Sequence, residues 1–353
     1  MRTIHDVAKA AGVSITTVSR ALNGYSDVSE STRRRVMRIA KELGYRPNAA
    51  ARNLRVKRTG TIAFAPCLPK RIDAKLFFKE FIGMLAFDCF QHNLSLLVTL
   101  PYSDQYEPEM YQELAGTGRV DGIILATVQP QDMRIPLLQK MGVPFVAFGR
   151  LLDDTDLSYP FVDVDGKAGV GNLVDYLYAQ GHCRIAYLSD FLEASYIYYR
   201  WHGYQEALRK HGLVEDERLL VMGVRDQEGV SAAVARMLAL PAEHAPTALV
   251  TSNNQLALCV LSALRDLGRS VGKESGQVAV ASFDDLPFAA YVEPALTTAR
   301  QPMVEVSQLV LELLVSILKR EELDVSKTAY PHLHRLGAQQ FLLESELVIR
   351  DSA

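Results

Sequence analysis

The sequence predicts an all-α helix-turn-helix head followed by an α/β body of two doubly wound parallel-sheet lobes. Capped helical segments fill the first 46 residues, and from Thr61 onward near-continuous apolar strands alternate with helical segments. The chain of 353 residues is also longer than one hydrophobic core usually supports. We therefore expect a head at 1–46, a short helix and linker at 47–59, and a body at 60–353.

Composition and motifs exclude several classes of protein. Hydrophobic residues make up 48% of the chain and charged residues 22%, which is typical of a globular protein. The sequence has no apolar run that would span a membrane and no signal-peptide pattern, and its four cysteines are scattered, so we expect a cytoplasmic protein. Phosphate loops, activated-serine motifs and metal-ligand spacings are absent from the sequence, so we expect no enzyme activity, metal or cofactor.

The head and the body differ in charge. Residues 1–58 contain thirteen Lys and Arg against four Asp and Glu, a net charge of +9, whereas the remainder contains 25 against 37, a net charge of −12. A basic terminal unit on an acidic body is typical of a nucleic-acid-binding head. A solvated basic surface would have the same composition, so the charge alone leaves both interpretations open.

Cap residues divide the head into three short helices. The helix starts and ends are indicated by Thr3 with Asp6, Gly12, Ser14, Asn23-Gly24 and Ser29. Two short helices joined by a tight turn form a helix-turn-helix, whose second helix lies in the major groove of DNA. Such hairpins also occur in enzymes and protein-interaction modules, so the spacing alone does not assign DNA binding.

The second helix, from Ile15 to about Leu22, would present a row of side chains to DNA. Val18 and Leu22 are expected to face inward, and the outward side chains are Ile15, Thr16, Thr17, Ser19 and Arg20. Arginine can pair with guanine through two hydrogen bonds, and Thr or Ile methyls can contact a thymine methyl. Further along, Asn48 can cap a short Ala-rich helix that would be marginal alone in water.

The pieces DVA, AGVS, TVSR, LN, VS, TR, LGY, PN and AR-x-L follow one another between Asp6 and Leu54. With them the head resembles that of the lac/gal repressor (LacI/GalR) family of transcriptional regulators along its whole length. The resemblance implies that 47–59 is a hinge helix and linker. It implies DNA contacts in the head at Thr3, Ser14, Ile15, Thr16, Thr17, Ser19, Arg20 and Asn23, and in the hinge at Asn48, Ala51, Leu54 and Arg55. It also implies that Ile15 and Thr16 select the operator, that the hinge folds when two chains meet on DNA, and that Leu54 wedges into the minor groove.

The body is predicted from alternating strands and helices. The predicted strands are 61–66, 94–100, 120–127, 143–149, 161–165, 184–190, 248–252 and 278–285, and the predicted helices include 78–92, 166–180, 199–211, 230–240 and 253–267. The motifs VDVDG, R-x-x-GY, NNQLA, SFDD, PALTTARQP and ELVIRDS occur in the order of the same family. They imply two lobes like those of a periplasmic sugar-binding protein, joined by three crossovers. We expect an N-lobe at about 60–160 and 301–328 and a C-lobe at about 161–300 and 329–353.

The resemblance also implies a small-molecule effector between the lobes. Arg200 matches an arginine that holds effector oxygens, and Asp284 matches a carboxylate that accepts ligand hydroxyls. Asn253 and Gln301 match polar groups of the same cleft. Candidate aromatic platforms for a sugar ring are Phe77, Phe78, Tyr196 and Tyr198, and candidate positive charges are Arg150 and Arg225.

Four positions depart from the family pattern. Asn254 replaces the usual acid, Ser282 the usual glycine, and Gly166 the usual asparagine; Val224 stands where a stacking aromatic is common. Val224 weakens the simplest sugar interpretation, and an acidic or phosphorylated ligand stays open. We expect a homodimeric repressor of operator DNA on the bacterial nucleoid, controlled by a sugar or sugar derivative. The alternatives are a purine- or nucleoside-responsive corepressor-type regulator and a DNA-binding sugar-acting enzyme.

Overall fold

The structure is a computed structural model that describes residues 2–22, 25–45, 58–66, 75–99, 107–152, 158–190, 193–224, 226–325, 330 and 332–353. The chain separates into two units, Met1–Thr59 and Gly60–Ala353. Among the described residues, no helix is both long and apolar enough to cross a membrane.

The head contains three helices, α1 (Ile4–Ala11), α2 (Ile15–Leu22) and α3 (Glu30–Glu42). The predicted N-caps at Ser14 and Ser29 are confirmed: Ser14 Oγ accepts from Thr17 N at 3.0 Å, and Ser29 Oγ accepts from Thr32 N at 3.3 Å. The predicted helix end at Asn23-Gly24 lies outside the described residues. Small apolar side chains close the head core, and its buried members are Val7, Ala8, Ala11, Val18, Ala21, Val28, Val36 and Ala40. Because these side chains face inward, the polar and basic side chains stay at the surface.

The body contains two sheets with helices on both faces. Its helices are α4 (Lys75–Gln91), α5 (Glu107–Gly116), α6 (Arg134–Met141), α7 (Gly166–Ala179), α8 (Ser195–Lys210), α9 (Gln227–Leu238), α10 (Asn254–Asp266) and α11 (Met303–Lys319). Its strands are β1 (Thr61–Pro66), β2 (Ser95–Val98), β3 (Gly122–Ala126), β4 (Phe145–Phe148), β5 (Phe161–Val164), β6 (Ile185–Leu188), β7 (Leu220–Val221), β8 (Ala248–Thr251), β9 (Ala279–Phe283), β10 (Thr297–Arg300), β11 (Leu333–Arg335), β12 (Gln340–Leu343) and β13 (Glu346–Val348).

Parallel pairing dominates both sheets. Within the described residues, the first sheet has seven strands in the order β11-β12-β5-β4-β3-β1-β2, and the second has six in the order β13-β10-β9-β8-β6-β7. The pairs β11–β12 and β10–β13 are antiparallel, and the other pairs are parallel. Strands buried on both faces explain the near-continuous apolar runs of the sequence.

The chain passes three times between the sheets, as the family resemblance implies. It leaves the first sheet after β5, returns after β10 and leaves again between β12 and β13. These passages correct the expected lobe boundaries, because residues 161–164, 333–335 and 340–343 belong to the first sheet rather than to the C-lobe. Their pairing explains the difference: β5 adds directly to β4, and β12 then adds to β5, so the sheet continues past residue 160.

Candidate DNA-binding surface and ligand cleft

The outer surface of α2 carries the side chains predicted to read DNA. Ser14, Ile15 and Thr16 are exposed, and Thr17, Ser19 and Arg20 are half-buried, as shown by the burial pattern of the helix. Val18 is buried and Leu22 packs on the head core, so the predicted inward side of the helix is confirmed. Thr3 is exposed at the start of α1, where its backbone N donates to Asp6 Oδ2 at 2.8 Å. Asn23, Asn48, Ala51, Leu54 and Arg55 lie outside the described residues.

Ser14 and Thr17 fix the start of α2. Besides capping the helix, Ser14 shares a hydrogen bond of 2.8 Å with the Thr17 hydroxyl. Near the other end, Arg20 donates from Nε to Asp27 Oδ1 at 3.0 Å. The cap at Ser14 therefore fixes the start of α2, and Asp27 holds the side chain of Arg20 near its other end.

Eight of the ten residues named as candidates for the effector site line one cleft of the body: Phe77, Phe78, Arg150, Tyr196, Arg200, Asn253, Asp284 and Gln301. Tyr198 and Val224 are not among its lining residues, and Arg225 lies outside the described residues. The cleft lies at the carboxyl ends of strands from both sheets, where open α/β sheets bind their ligands.

Arg200 and Asp284 form the centre of the cleft. The buried guanidinium donates from Nη1 to Ser252 O at 2.6 Å, and its Nη2 lies 3.7 Å from Asp284 Oδ1. Its Nε has no hydrogen-bond partner among the described residues. Asp284 accepts a short hydrogen bond from Gln301 Nε2. Burial raises the pKa of Asp284, and the positive charge of Arg200 opposes that shift.

Two glycines bring Arg200 to this position. A Cβ on Gly203 would lie 2.1 Å from Lys167 O, so glycine permits α8 to cross α7 closely. A Cβ on Gly166 would lie 3.0 Å from Arg200 Cγ. The missing side chain at Gly166 therefore leaves room for the arginine stem, and the ring of Phe283 lies 3.8 Å from its Cζ.

A second guanidinium enters the cleft from the end of β4. Arg150 donates from Nε to Asp163 Oδ2 at 3.1 Å, and its Cζ lies 4.1 Å from the ring centroid of Tyr199. Burial raises the pKa of Asp163 to about 6, although the Arg150 charge and hydrogen bond oppose the shift. The positive charge expected at Arg150 is therefore matched by a carboxylate that the sequence analysis missed.

Asn253 has both a structural contact and a contact in the cleft. Its Oδ1 accepts from the backbone N of Gln255 and of Leu256, both at 3.0 Å, and so caps α10. Its Nδ2 donates to Asp190 Oδ2 at 2.9 Å. Asp190 and Thr127, which also lines the cleft, were not predicted. Each is the last residue of a predicted strand, 184–190 and 120–127, and that position is the signal that could have found them.

Comparison with known proteins places this geometry in a family. Residues 3–48 match the family of bacterial regulatory proteins, lacI family, and residues 174–352 match the periplasmic binding protein-like domain. The HTH-type transcriptional regulator AglR of Rhizobium meliloti is 30% identical over 99% of this chain and 93% of AglR. The chain belongs to the LacI family. It is a DNA-binding transcriptional regulator with a periplasmic-binding-protein-like body.

Other LacI-family proteins resemble the regulator over its whole length. The HTH-type transcriptional repressor CytR of Escherichia coli strain K12 is 30% identical over 99% of this chain and 96% of CytR. The solved complex of the transcriptional regulator CelR with cellobiose is 29% identical, covers 100% of both chains and has a TM-score of 0.69. The resemblance found in the sequence is thus confirmed for both the head and the body.

Two departures of this LacI-family regulator from the family pattern contact each other. The buried Asn254 donates from Nδ2 to Ser282 Oγ at 3.1 Å and to Asp284 O at 2.9 Å. Its Oδ1 accepts from Leu286 N at 2.7 Å. An aspartate could not donate these bonds. Asn254 therefore holds the loop that presents Asp284, whose backbone has a positive φ of 71°.

Proposed function

We propose that this regulator is a homodimeric repressor that binds a neutral, hydroxyl-rich sugar in the cleft and operator DNA with the outer surface of α2. The observation that carries the ligand class is the balance of charge in the cleft. Among its described lining residues, the carboxylates of Asp163, Asp190 and Asp284 outnumber the guanidiniums of Arg150 and Arg200.

Both guanidiniums among the described lining residues already face an acid. Arg150 is bound by Asp163, and Arg200 lies within ion-pair distance of Asp284. A phosphate would bring two further negative charges toward three carboxylates, two of which, Asp163 and Asp284, are buried, and this repulsion is unfavourable. A hydroxyl group, in contrast, can accept from a guanidinium and donate to a carboxylate at the same time.

Aromatic rings supply the apolar surface that the faces of a sugar ring need. The rings lining the cleft are Phe77, Phe78, Phe148, Tyr196 and Tyr199. The aromatic position lost at Val224 is therefore offset by rings from α4, β4 and α8. A pocket of apolar walls with a few convergent polar groups is typical of small-ligand sites, and the CelR complex with cellobiose supports a sugar as the ligand class.

The DNA half of the proposal rests on the exposed row at Ser14, Ile15 and Thr16 and on Arg20. A two-fold dimer presents two helix-turn-helix heads, which bind two half-sites of DNA. This favours a homodimer on a near-palindromic operator. Contacts at Thr3, Thr17, Ser19 and Asn23, and in the hinge at Asn48, Ala51, Leu54 and Arg55, belong to the same proposal. We place the protein in the bacterial cytoplasm on the nucleoid, without a catalytic role.

Trp201 provides the test. It is the single tryptophan of the chain, half-buried and adjacent to Arg200. Fluorescence titrations of the full-length protein should respond to a subset of neutral mono- and disaccharides, but not to their phosphates or to nucleosides and purines. A response confined to sugar phosphates or purines would contradict the ligand class. Chromatography of the ligand after prolonged incubation should recover it unchanged, whereas turnover would favour an enzyme.

A further inference from the structure

The arginine of α2 is held by an acid from the loop that follows the helix. Arg20 Nε donates to Asp27 Oδ1 at 3.0 Å, and Arg20 Nη2 lies 2.5 Å from Asp27 Oδ2. The carboxylate therefore binds the guanidinium side-on, through two atoms of each group. The ring of Tyr25 lies 5.3 Å from Arg20 Cζ. Two side chains of one loop thus fix the direction in which the guanidinium points.

Asp27 occupies only part of the donor capacity of Arg20. A guanidinium has five N–H donors, and side-on binding of a carboxylate uses two of them. The other three lie along the Nη1–Nη2 edge and have no hydrogen-bond partner among the described residues. Guanine presents two acceptors, N7 and O6, in the major groove, and this edge can bind both. Asp27 and a guanine therefore need not compete for the same donors.

The loop itself is anchored to the head core. Val28, next to Asp27, is buried, and its N donates to Tyr25 O at 3.4 Å. Arg33 of α3 donates from Nη2 to the same Tyr25 oxygen at 2.6 Å. These contacts place the Asp27 carboxylate on a turn that is tied both to the core and to α3.

Stabilisation of the head is a weak explanation for this ion pair. The side chains of Arg20 and Asp27 are 43% and 49% exposed, and ion pairs that exposed contribute little to stability. Asp27 is also one of only four acids among the thirteen basic residues of 1–58. An acid on a surface that meets phosphates weakens binding to every DNA sequence, so it is expected there only if it improves discrimination between sequences.

We propose that Asp27 is a positioning residue that directs Arg20 at a guanine of the operator and so raises the ratio of specific to non-specific DNA affinity. This inference rests on the proposed role of Arg20 in operator recognition. Without Asp27, the long arginine side chain can turn toward phosphates, whose positions do not depend on sequence.

The test compares three full-length variants on DNA. The parent protein first selects its preferred duplex from a randomised library. Affinities of Asp27→Asn, Glu30→Gln and Arg20→Ala are then measured for that duplex, for its single-base-pair variants and for a duplex of random sequence. Glu30→Gln is the matched control, because it neutralises an exposed acid that pairs with Arg34 at 3.1 Å on α3.

We expect both neutralising variants to bind random DNA several-fold more tightly, because each adds one unit of positive charge. Asp27→Asn alone should lower the ratio of specific to random affinity, on the order of tenfold, and relax the preference at the base pair that Arg20→Ala also relaxes. The inference is overturned if Asp27→Asn keeps the base preference of Glu30→Gln while Arg20→Ala relaxes it. If Arg20→Ala relaxes no base pair, the proposed role of Arg20 fails, and this inference fails with it.

Discussion

Arg200 Nη2 and Asp284 Oδ1 face each other at 3.7 Å in the cleft, close enough for attraction between the charges but too far apart for a hydrogen bond. The Nε of Arg200 also has no partner among the described residues. A ligand hydroxyl between the two groups would accept from the guanidinium and donate to the carboxylate. Arg200 and Asp284 thus make no hydrogen bond to each other, and a sugar hydroxyl could form one with each of them.

Replacing either member of this pair should weaken sugar binding. Charged hydrogen bonds are worth about 1.5–3 kcal/mol, so Arg200→Ala or Asp284→Asn should lower the affinity roughly 10- to 150-fold. Tyr198→Phe is a suitable control, since Tyr198 is on the same helix but does not line the cleft. Calorimetric titration with the sugar found by Trp201 fluorescence measures the loss. Affinities equal to that of the parent in both variants would place the ligand elsewhere.

The same variants distinguish an inducer from a corepressor. A ligand shifts operator binding only through its different affinity for the two arrangements of the dimer. If the sugar is an inducer, Arg200→Ala should bind operator like the ligand-free parent and no longer release it when sugar is added. If it is a corepressor, the variant should fail to bind operator at sugar concentrations that support binding by the parent. Operator titrations with and without sugar separate the two cases.

Much of the body could be predicted because its strands are apolar and buried on both faces. All eight predicted strands form, and they include Thr61–Pro66 and Ala248–Thr251. Of the other strands in the described residues, β13 lies in the family motif ELVIRDS, and four were not predicted: β7 has two residues, and β10, β11 and β12 are short, with polar side chains among them. Such segments cannot be told from loops by periodicity, because their pairing depends on neighbours distant in sequence.

In the cleft, too, residues within local sequence motifs were predicted, and a residue whose partner is distant in sequence was missed. The family motifs that nominated Arg200 and Asp284 are local in sequence, and the structure brings both side chains into one cleft. Asp163 was missed, because inside the apolar run FVDV it reads as an occasional polar residue of a strand. Its partner Arg150 approaches only because β5 pairs with β4, and sequence spacing does not reveal that pairing.

Asp163 should make stability depend on pH. Its pKa is about 6 in the folded protein, above the ordinary value of 3.8, because burial disfavours the charged form. The folded state therefore binds this proton more tightly than the unfolded state, and the carboxyl contributes stability below about pH 4 that is lost as the pH rises through 6. Between pH 4 and 7, the unfolding free energy of the parent minus that of Asp163→Asn should fall by up to about 3 kcal/mol.

Asp175 gives a control of opposite sign. Although burial acts to raise it, the pKa of Asp175 is held below its usual range by hydrogen bonds from Lys210 and His211. Its stabilisation is present at neutral pH and lost as the pH falls, so the parent minus Asp175→Asn difference should rise with pH. Chemical denaturation checks the signs, between pH 4 and 7 for Asp163→Asn and at pH values below about 4 for Asp175→Asn, where the unfolded state takes up the Asp175 proton. A flat difference for Asp163→Asn would show that this carboxyl titrates alike in both states.

Asn254→Asp should destabilise the body and weaken sugar binding together. The fully buried amide donates to Ser282 Oγ and to the carbonyls of Phe283 and Asp284, and a carboxylate would face these oxygens with no proton to donate. We expect a loss of about 2–5 kcal/mol in unfolding free energy. Gln255→Glu adds the same charge one residue later, in the first turn of α10, where the helix dipole tolerates it. The unfolding free energy of that control should stay within about 0.5 kcal/mol of the parent. Because Gln255 also lines the cleft, the two changes are compared by unfolding free energy alone, and equal losses would contradict the role of the amide.

Ile15 and Thr16 should decide which operator is preferred. They are the exposed side chains at the start of α2, where a recognition helix meets base edges, and they carry no charge that would bind phosphates. Replacing both by alanine should change the sequence selected from a randomised duplex library. Affinity for random DNA and its decrease with salt should stay close to those of the parent, because these depend on the basic residues of the head. Met37→Ala, at an exposed position of α3, is the control and should select the parent sequence. If the double variant also selects the parent sequence, base discrimination lies outside these two residues.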